Sequence, residues 1–267
     1  MREVARRYAW AIDVEICVFP QEGMLNDPGA EELLVEACRQ GADLVGGCPY
    51  ADTQPLEQMT RVFDIARRFD LDIDFHLDFD LDTSWGHAAE VCRLTRAHGW
   101  QGRVAIGHAT KLSAMPSQQL AEASGDLARS GVAVTVLPAT DLFLMGRGHD
   151  HNVPRGVTRA DLLVQHGVNC SLSTNNVLNP FTPFGDCSLI RMANLYANVA
   201  QIGRPADMEL CLSLVTERPA KLMNLADYGI AVGNPADIDF CVGWAFPQGS
   251  LAKLPNLRGL QSLGAGV

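Results

Sequence analysis

The sequence predicts an α/β protein in which helices cover a parallel β-sheet, and three observations support this fold class. Apolar segments with the composition of buried strands recur about every thirty residues, as in parallel sheets. A segment with helical periodicity lies between successive strands. Glycines stand at four of the joins, each just after a helical segment, where a left-handed cap favours glycine: Gly41, Gly102, Gly131 and Gly167.

The elements follow one another in a regular order. The strand segments are nearly continuous apolar runs, and they cover residues 12–19, 42–49, 71–78, 102–108, 132–138 and 168–174. The helical segments carry apolar residues three and four positions apart, and they cover residues 1–10, 31–40, 56–69, 86–98, 117–130, 159–166, 190–203 and 208–225. Residues 228–242 look like two short strands around a glycine turn. Six strand–helix units fit a barrel better than an open sheet, although a closed α/β barrel of this type has eight.

Charge and cysteine content narrow the function classes. The 267 residues include 31 acidic and 21 basic side chains, and the net charge of -10 argues against nucleic acid and anionic membranes as partners. We see no apolar run of membrane-spanning length and no signal-peptide core at the N-terminus. The eight cysteines form no C-x-x-C pair, which favours buried, reduced thiols in a cytoplasmic protein.

The stretch 72–80 carries the strongest chemical signal. It looks like a buried strand that ends in a histidine and a run of carboxylates, and α/β barrels present their chemistry at such strand ends. If the strand stays extended, His76, Asp78 and Asp80 share one face, whereas Leu77 and Phe79 take the other. The alternative is a strand followed by a solvated acidic turn.

A second histidine, His108, ends the next strand segment. Adjacent strand ends of a parallel barrel converge on one mouth, so the imidazoles of His76 and His108 are candidate ligands of a divalent metal, zinc or iron. The alternative is a pair of strand-end histidines that make ordinary hydrogen bonds.

Amide side chains follow two other strand segments. Asn175 and Asn176 end the sixth segment, where barrel enzymes carry active-site residues, although asparagines are also common in turns. Gln21 lies just past the first segment, where its amide could contact the polar edge of a heterocycle by donating and accepting at once. A role in capping the loop explains Gln21 equally well.

Together these residues resemble the cytosine deaminase branch of the amidohydrolase superfamily. The resemblance runs along nearly the whole chain and rests on an ordered set of segments: residues 19–23 (Phe-Pro-Gln-Glu-Gly), the stretch through His76, residues 105–108, 167–176, 180–185, 194–201, 216–222 and 229–237. It implies an elliptical α/β barrel with one divalent metal ion, which polarises a water for attack on a C–N bond of a cyclic amidine or amide. In the family, four histidines and an aspartate surround the metal.

The resemblance assigns individual roles and also exposes three departures. His76 and His108 match the fifth- and sixth-strand ligands, and Gln21 matches the glutamine that contacts the pyrimidine. However, no H-x-H motif precedes the barrel, and the family's aspartate is replaced by Asn175, whose neutral amide can ligate a metal but cannot accept a proton. Phe79 replaces the catalytic glutamate and cannot shuttle protons.

These departures shape the expected site. Asp78 or Asp80 would have to substitute for the missing glutamate, so we expect Asp78, Asp80 and Asn175 as catalytic residues. We expect Gln21, Phe79 and Asn176 to bind substrate, and His76, His108 and Asn175 to bind the metal. We also expect residues 1–227 to form a barrel that lacks its first two strands, and residues 228–267 to hold a β-sandwich remnant and a tail. Such a chain would be an N-terminally truncated reading of a longer protein, or a degraded one.

Two functions follow from the sequence. The first is a metal-dependent amidohydrolase, cytosine-deaminase-like, acting on a nitrogen heterocycle or cyclic amide. The second is a catalytically inactive barrel that binds a small ligand or a partner subunit. A dehydrogenase is disfavoured because no glycine-rich phosphate-binding motif follows the first strand. The expected partners are a small-molecule substrate and further copies of the chain.

Overall fold

The computed structural model describes residues 1–10, 12–225, 228–229, 240–243 and 259–262. The chain divides into two compact units, Met1–Met223 and Asn224–Val267. The division falls a few residues before the domain boundary expected from the sequence, after residue 227. No helix in the described part of the chain combines the length and the apolar character needed to cross a membrane.

A sheet of six parallel strands forms the centre of the first unit, with the strands in the same order in space as along the chain. The strands are β1 (Cys17–Val18), β2 (Leu44–Gly47), β3 (Asp72–Leu77), β4 (Val104–His108), β5 (Val132–Val136) and β6 (Cys170–Leu172). The predicted parallel α/β fold with six strands is therefore confirmed. Strands β1 and β6 are the two edges of this sheet among the described residues, so the sheet resembles part of a barrel wall.

Helices separate the strands, as the sequence predicts. They are α1 (Arg2–Tyr8), α2 (Ala30–Arg39), α3 (Pro55–Phe69), α4 (Ala88–His98), α5 (Ser117–Ser130), α6 (Pro138–Leu144), α7 (Ala160–Gln165), α8 (Leu189–Val199), α9 (Pro205–Ser213) and α10 (Glu217–Leu222). The single helix expected over residues 208–225 was wrong, because the chain turns between α9 and α10. Helix α6 was missed, since Pro138 reads as the end of a strand although it starts the helix at its first position.

The alternation of side chains along β3 separates the core from the inner face of the sheet. Ile73, Phe75 and Leu77 are buried against the helices, and the ring of Phe75 lies 6.1 Å from that of Phe63 in α3. The intervening residues, including His76, are half-buried on the opposite face. Helix packing on one face thus fixes which side chains of β3 point to the other face of the sheet, where His76 lies.

The four glycines at the joins all have positive φ. Gly131, with φ of 61°, forms the left-handed C-cap of α5, as predicted. The prediction for Gly102 was wrong, because Gly99, with φ of 69°, caps α4 and Gly102 lies in the turn that follows. At the β6 edge, the Leu172 N–H donates to the Leu214 carbonyl oxygen at 2.9 Å, which satisfies a donor that an open edge would leave free.

The second unit contains a two-stranded parallel ladder, β7 (Phe240–Gly243) with β8 (Gly259–Ser262). Strand β7 overlaps the end of the region 228–242, for which the sequence predicts two short strands. Residues 230–239 of that region lie outside the described part, so the β-sandwich remnant stays a prediction.

Candidate active site

A cavity of about 580 Å³ opens at the C-terminal ends of the strands. Its lining includes six of the eight candidate site residues: Gln21, His76, Phe79, His108, Asn175 and Asn176. These side chains come from the ends of β1, β3, β4 and β6, so the parallel sheet brings together residues far apart in sequence. Asp78 and Asp80 are absent from the described lining.

His76 presents a neutral imidazole to this cavity. Its ring stacks on Phe19 with 4.7 Å between centroids, and neither ring nitrogen has a hydrogen-bond partner among the described residues. Burial, and secondly the neighbouring His108, lower the pKa of His76 to about 4. Asp74 lies one pleat below on the same face of β3, and burial raises the pKa of its carboxyl to about 6, which His108 partly opposes.

His108 faces His76, with ring centroids 5.1 Å apart and an interplanar angle of 73°. The pairing register places His108 beside Leu77, whose side chain points outward to the helices, so a regular pleat would aim His108 outward as well. Its φ of 65° instead turns the imidazole into the cavity. Such left-handed backbone is costly for a non-glycine residue and is concentrated at functional sites.

A buried carboxylate fixes the orientation of His108. Nδ1 of His108 lies 2.6 Å from Oδ1 of Asp141, and both side chains are almost fully buried. Burial raises the pKa of Asp141, and the hydrogen bond to His108 opposes that shift. The tautomer with the proton on Nδ1 donates to this carboxylate and leaves Nε2 as an acceptor for the amide of Asn175, whose Nδ2 lies 3.4 Å away.

The residues in the cavity fit part of a metal-ligand set. Ligating histidines typically have a carboxylate behind the ring nitrogen that does not bind the metal, and His108 has Asp141 in this position. Its Nε2 faces the Asn175 amide, which a metal ion would have to displace. His76 is neutral and unpaired, and Asn175 adds an amide whose oxygen suits zinc or iron less well than a carboxylate does. In the described part of the chain, no group of three or more His, Cys, Asp or Glu side chains is positioned to hold a metal. This chain thus offers two imidazoles and one amide.

The two carboxylates expected to act in catalysis have other partners. Asp78 has φ of 50°, and its carboxylate accepts hydrogen bonds from the backbone N–H groups of His87 and Ala88 at the start of α4. Asp80 forms an ion pair with the buried Lys111 at 2.6 Å. Both carboxylates therefore stabilise the loops around the cavity, and their catalytic roles stay predictions without support from the geometry.

The predicted alternation beyond His76 was wrong. Strand β3 ends at Leu77, and the left-handed turn at Asp78 reverses which side chains face inward. Phe79 consequently packs in the cavity, with its ring centroid 4.3 Å from that of His108 and 5.8 Å from that of Tyr50. If the strand continued, the side chain of Asp78 would point to the same face as His76. Instead it points away from the cavity.

Polar side chains that follow β1 and β2 also line the cavity. Gln21 approaches the Cys48 sulfur with its Nε2 at 3.7 Å, and Glu22 supplies the only carboxylate in the lining among the described residues. Burial raises the pKa of the Tyr50 phenol, so Tyr50 is a neutral hydrogen-bonding group in this lining.

Sequence reasoning missed Asp141, Tyr50 and Glu22. Tyr50 and Asp141 closely follow predicted strands, and this position is the signal that identified His108 and Asn175. Both were missed because their segments were interpreted as a strand end or a loop. Glu22 was read only as part of a turn. The seven cysteines whose side chains are described are free, as predicted, although Cys187 is exposed.

Known deaminases and amidohydrolases are similar to this chain in sequence. Residues 4–239 match the amidohydrolase family. A pterin deaminase from Rhizobium rhizogenes is 28% identical over 87% of this chain and 54% of its own. An N-isopropylammelide isopropyl amidohydrolase from Pseudomonas sp. is 27% identical over 85% of this chain and 54% of its own.

Among solved structures, a 5-methylcytosine deaminase from Klebsiella pneumoniae liganded with 5-fluorocytosine superposes with a TM-score of 0.83 at 27% identity. That match covers 88% of this chain and 58% of the deaminase. The chain thus spans a little over half the length of the relatives it matches.

Proposed function

The chain belongs to the amidohydrolase family, and from that premise we propose that it acts on a nitrogen heterocycle or cyclic amide, hydrolysing a non-peptide C–N bond with release of ammonia or an amine. The observation that carries this proposal is the convergence of His76 and His108, 5.1 Å apart, in a cavity that also contains Gln21 and Asn175. The names of the relatives, a pterin deaminase and an isopropyl amidohydrolase, support the same class of bond.

His76, His108 and the Asn175 amide would hold one divalent metal ion, and family members depend on such a metal. When bound, the metal supplies a Lewis acid that makes water nucleophilic near neutral pH. Zinc or iron is the proposed ion, because neutral imidazoles suit both. Asp141 positions His108 by fixing its tautomer, so that Nε2 points into the cavity.

Gln21, Phe79 and Asn176 would bind the substrate. The amide of Gln21 can donate to and accept from the edge of a heterocycle. The rings of Phe19 and Phe79, which pack on His76 and His108, add apolar surface for a flat substrate. Among the described residues, Glu22 is the carboxylate in the lining available to move protons, which makes it the proposed acid–base residue in place of Asp78 and Asp80.

A second function is favoured by one specific observation. Phe79 packs against His108 at the position of the family's catalytic glutamate, and neither neighbouring carboxylate faces the cavity. These contacts support a barrel that binds a small heterocycle, or a partner subunit, without turnover.

One experiment separates the two functions. The purified chain is loaded with zinc or iron, its metal content is measured, and it is incubated with cytosine, 5-methylcytosine, pterin and N-isopropylammelide. We expect ammonia or isopropylamine from at least one compound, and loss of that activity in His108→Ala but not in His166→Ala, an exposed histidine outside the cavity. Metal uptake and ligand binding without any product would favour the binding function. Absence of both metal and ligand binding would contradict the hydrolase.

We also propose a cytoplasmic location and self-association for this chain. The free cysteines described in the chain are compatible with work in the reducing cytoplasm. Self-association of the chain is the proposed quaternary arrangement, and sedimentation velocity would test it.

A further inference from the structure

A second cavity, of about 520 Å³, lies between α6, α8 and the loop that joins β6 to α8. Its size falls within the range of small-molecule sites. Six apolar side chains make up most of its surface: Leu142, Phe143, Val177, Phe184, Met192 and Leu195. Apart from Asn176, no residue of this lining has a role in the proposed reaction.

Only a thin wall separates this cavity from the candidate active site. Asn176 lines both cavities, Ala139 and Thr182 line the second, and their sequence neighbours Thr140 and Phe181 line the first. The hydroxyl group of Thr140, in the first lining, is hydrogen bonded at 2.5 Å to that of Thr182, in the second. Asn176 therefore lies at the boundary between the two cavities, where one ligand could reach both.

The polar groups at the second cavity indicate an uncharged ligand. Asp186 and Arg191 form an ion pair at 2.8 Å, so their charges neutralise each other. Oδ1 of Asn176 accepts a hydrogen bond from Asn179 at 2.7 Å. The amide N–H groups of Asn176 are therefore left to donate to a ligand at the boundary between the cavities. The interior offers apolar contact but no unpaired charge among the described lining residues.

We propose that the cavity between α6 and α8 is a second compartment of the substrate site, which binds an apolar, uncharged substituent of the size of a benzyl or branched alkyl group. The heterocyclic end of this substrate is taken from the proposed function, and the inference rests on that function to this extent. We assign the occupant as part of the substrate because Asn176 lines both cavities. In addition, two residues of the second lining are sequence neighbours of residues in the first.

The test compares the affinities of three probes for the full chain by isothermal titration calorimetry: cytosine, N4-benzylcytosine and benzyl alcohol. Burying a ring of this size increases affinity by about one to two orders of magnitude. The affinity for N4-benzylcytosine is therefore expected to be at least about tenfold higher than that for cytosine. Leu195→Trp, which fills the compartment from α8, is expected to bring this affinity ratio close to one. Ile190→Trp is the matched control, because Ile190 is exposed on the same helix outside the lining.

Each outcome decides the inference. A ratio near one in the unmodified chain, or a preference that survives both Leu195→Trp and the second filling variant Leu142→Trp, overturns it. Benzyl alcohol binding that Leu195→Trp removes, without cytosine binding, supports the compartment and instead contradicts the heterocycle of the proposed function. Absence of binding by all three probes overturns the compartment. If sedimentation velocity finds a dimer that Leu195→Trp dissociates, the cavity is an interface between copies, and the inference is overturned.

Discussion

Phe79 lies against His108 with ring centroids 4.3 Å apart, so an apolar ring occupies the place beside an imidazole where a proton-transferring group is expected. The contact depends on the turn at Asp78, whose φ of 50° brings Phe79 inward and sends the Asp78 carboxylate to the start of α4. The same backbone feature therefore removes one carboxylate from the cavity and inserts a phenyl group.

Phe79→Glu is expected to increase the rate of C–N bond hydrolysis. A carboxylate beside His108 could take a proton from the attacking water and return it to the leaving nitrogen, and such groups contribute about 10²–10⁴-fold. The measurement is kcat for ammonia release from the best heterocycle of the panel. Phe79→Gln is the matched control, since it has a similar shape without the charge. Equal kcat values for the two variants would contradict a role for position 79 in proton transfer.

The turn at Asp78 and the φ of His108 mark the limit of what the sequence reveals. The parallel sheet, its order and the convergence of His76 with His108 follow from apolar periodicity and the rule that strand ends meet at one mouth. Side-chain direction beyond a strand end depends on single left-handed residues. Asp and His adopt this conformation more often than most residues do, but it is still uncommon for them, so residue type alone did not predict it at Asp78 or His108. For this reason Asp78 and Phe79 were assigned to the wrong sides.

Asp141 was missed for a different physical reason. Its role depends on α6 starting directly after β5, and the proline that begins this helix reads equally well as the end of a strand. Once the helix is formed, Asp141 reaches back to both His108 and the Leu137 N–H. The contact between Asp141 and His108 depends on where this helix starts, which the sequence pattern did not reveal.

Replacing either imidazole is expected to abolish high-affinity metal binding. His76→Ala and His108→Ala each remove one of the two nitrogen donors that converge in the cavity, so the loss should exceed the roughly 10–100-fold typical of a residue that only supports a ligand. Titration with Co²⁺, followed by its visible absorption, measures the affinity. His166→Ala should leave the titration unchanged, because His166 is exposed outside the cavity. Unaltered Co²⁺ spectra in both cavity variants would rule out this metal site.

Asp141→Asn is expected to weaken metal binding without emptying the site. The carboxylate holds Nδ1–H of His108 and makes Nε2 more basic, and loss of such a partner costs about 10–100-fold in affinity. The variant is compared with Asp150→Asn in the same Co²⁺ titration, because Asp150 is exposed in the loop after α6. An affinity for Asp141→Asn equal to that of the control would mean that the carboxylate is only structural.

Asp52→Asn is expected to destabilise the chain at neutral pH and to matter less in acid. Asp52 accepts hydrogen bonds from the backbone N–H groups of Met24, Leu25 and Gln54 and from the Gln58 amide, and it ties the loop after Gln21 to the start of α3. Burial alone would raise the pKa of Asp52, but these donors outweigh it and lower the pKa. The amide that replaces the carboxylate in this variant would turn its NH₂ group toward some of these donors, at a cost of about 1–3 kcal/mol.

The sign of the pH dependence follows from that lowered pKa. The unfolded chain, in which Asp52 has its ordinary pKa of about 3.9, binds the proton more readily than the folded chain does. The stabilisation is therefore complete well above pH 4 and is lost as the pH falls through the folded-state pKa. Urea unfolding at pH 7 should separate the native chain from Asp52→Asn, and the gap should narrow toward pH 3, with Asp150→Asn as an exposed control. A gap independent of pH would mean that Asp52 stabilises the loop by shape and not by charge.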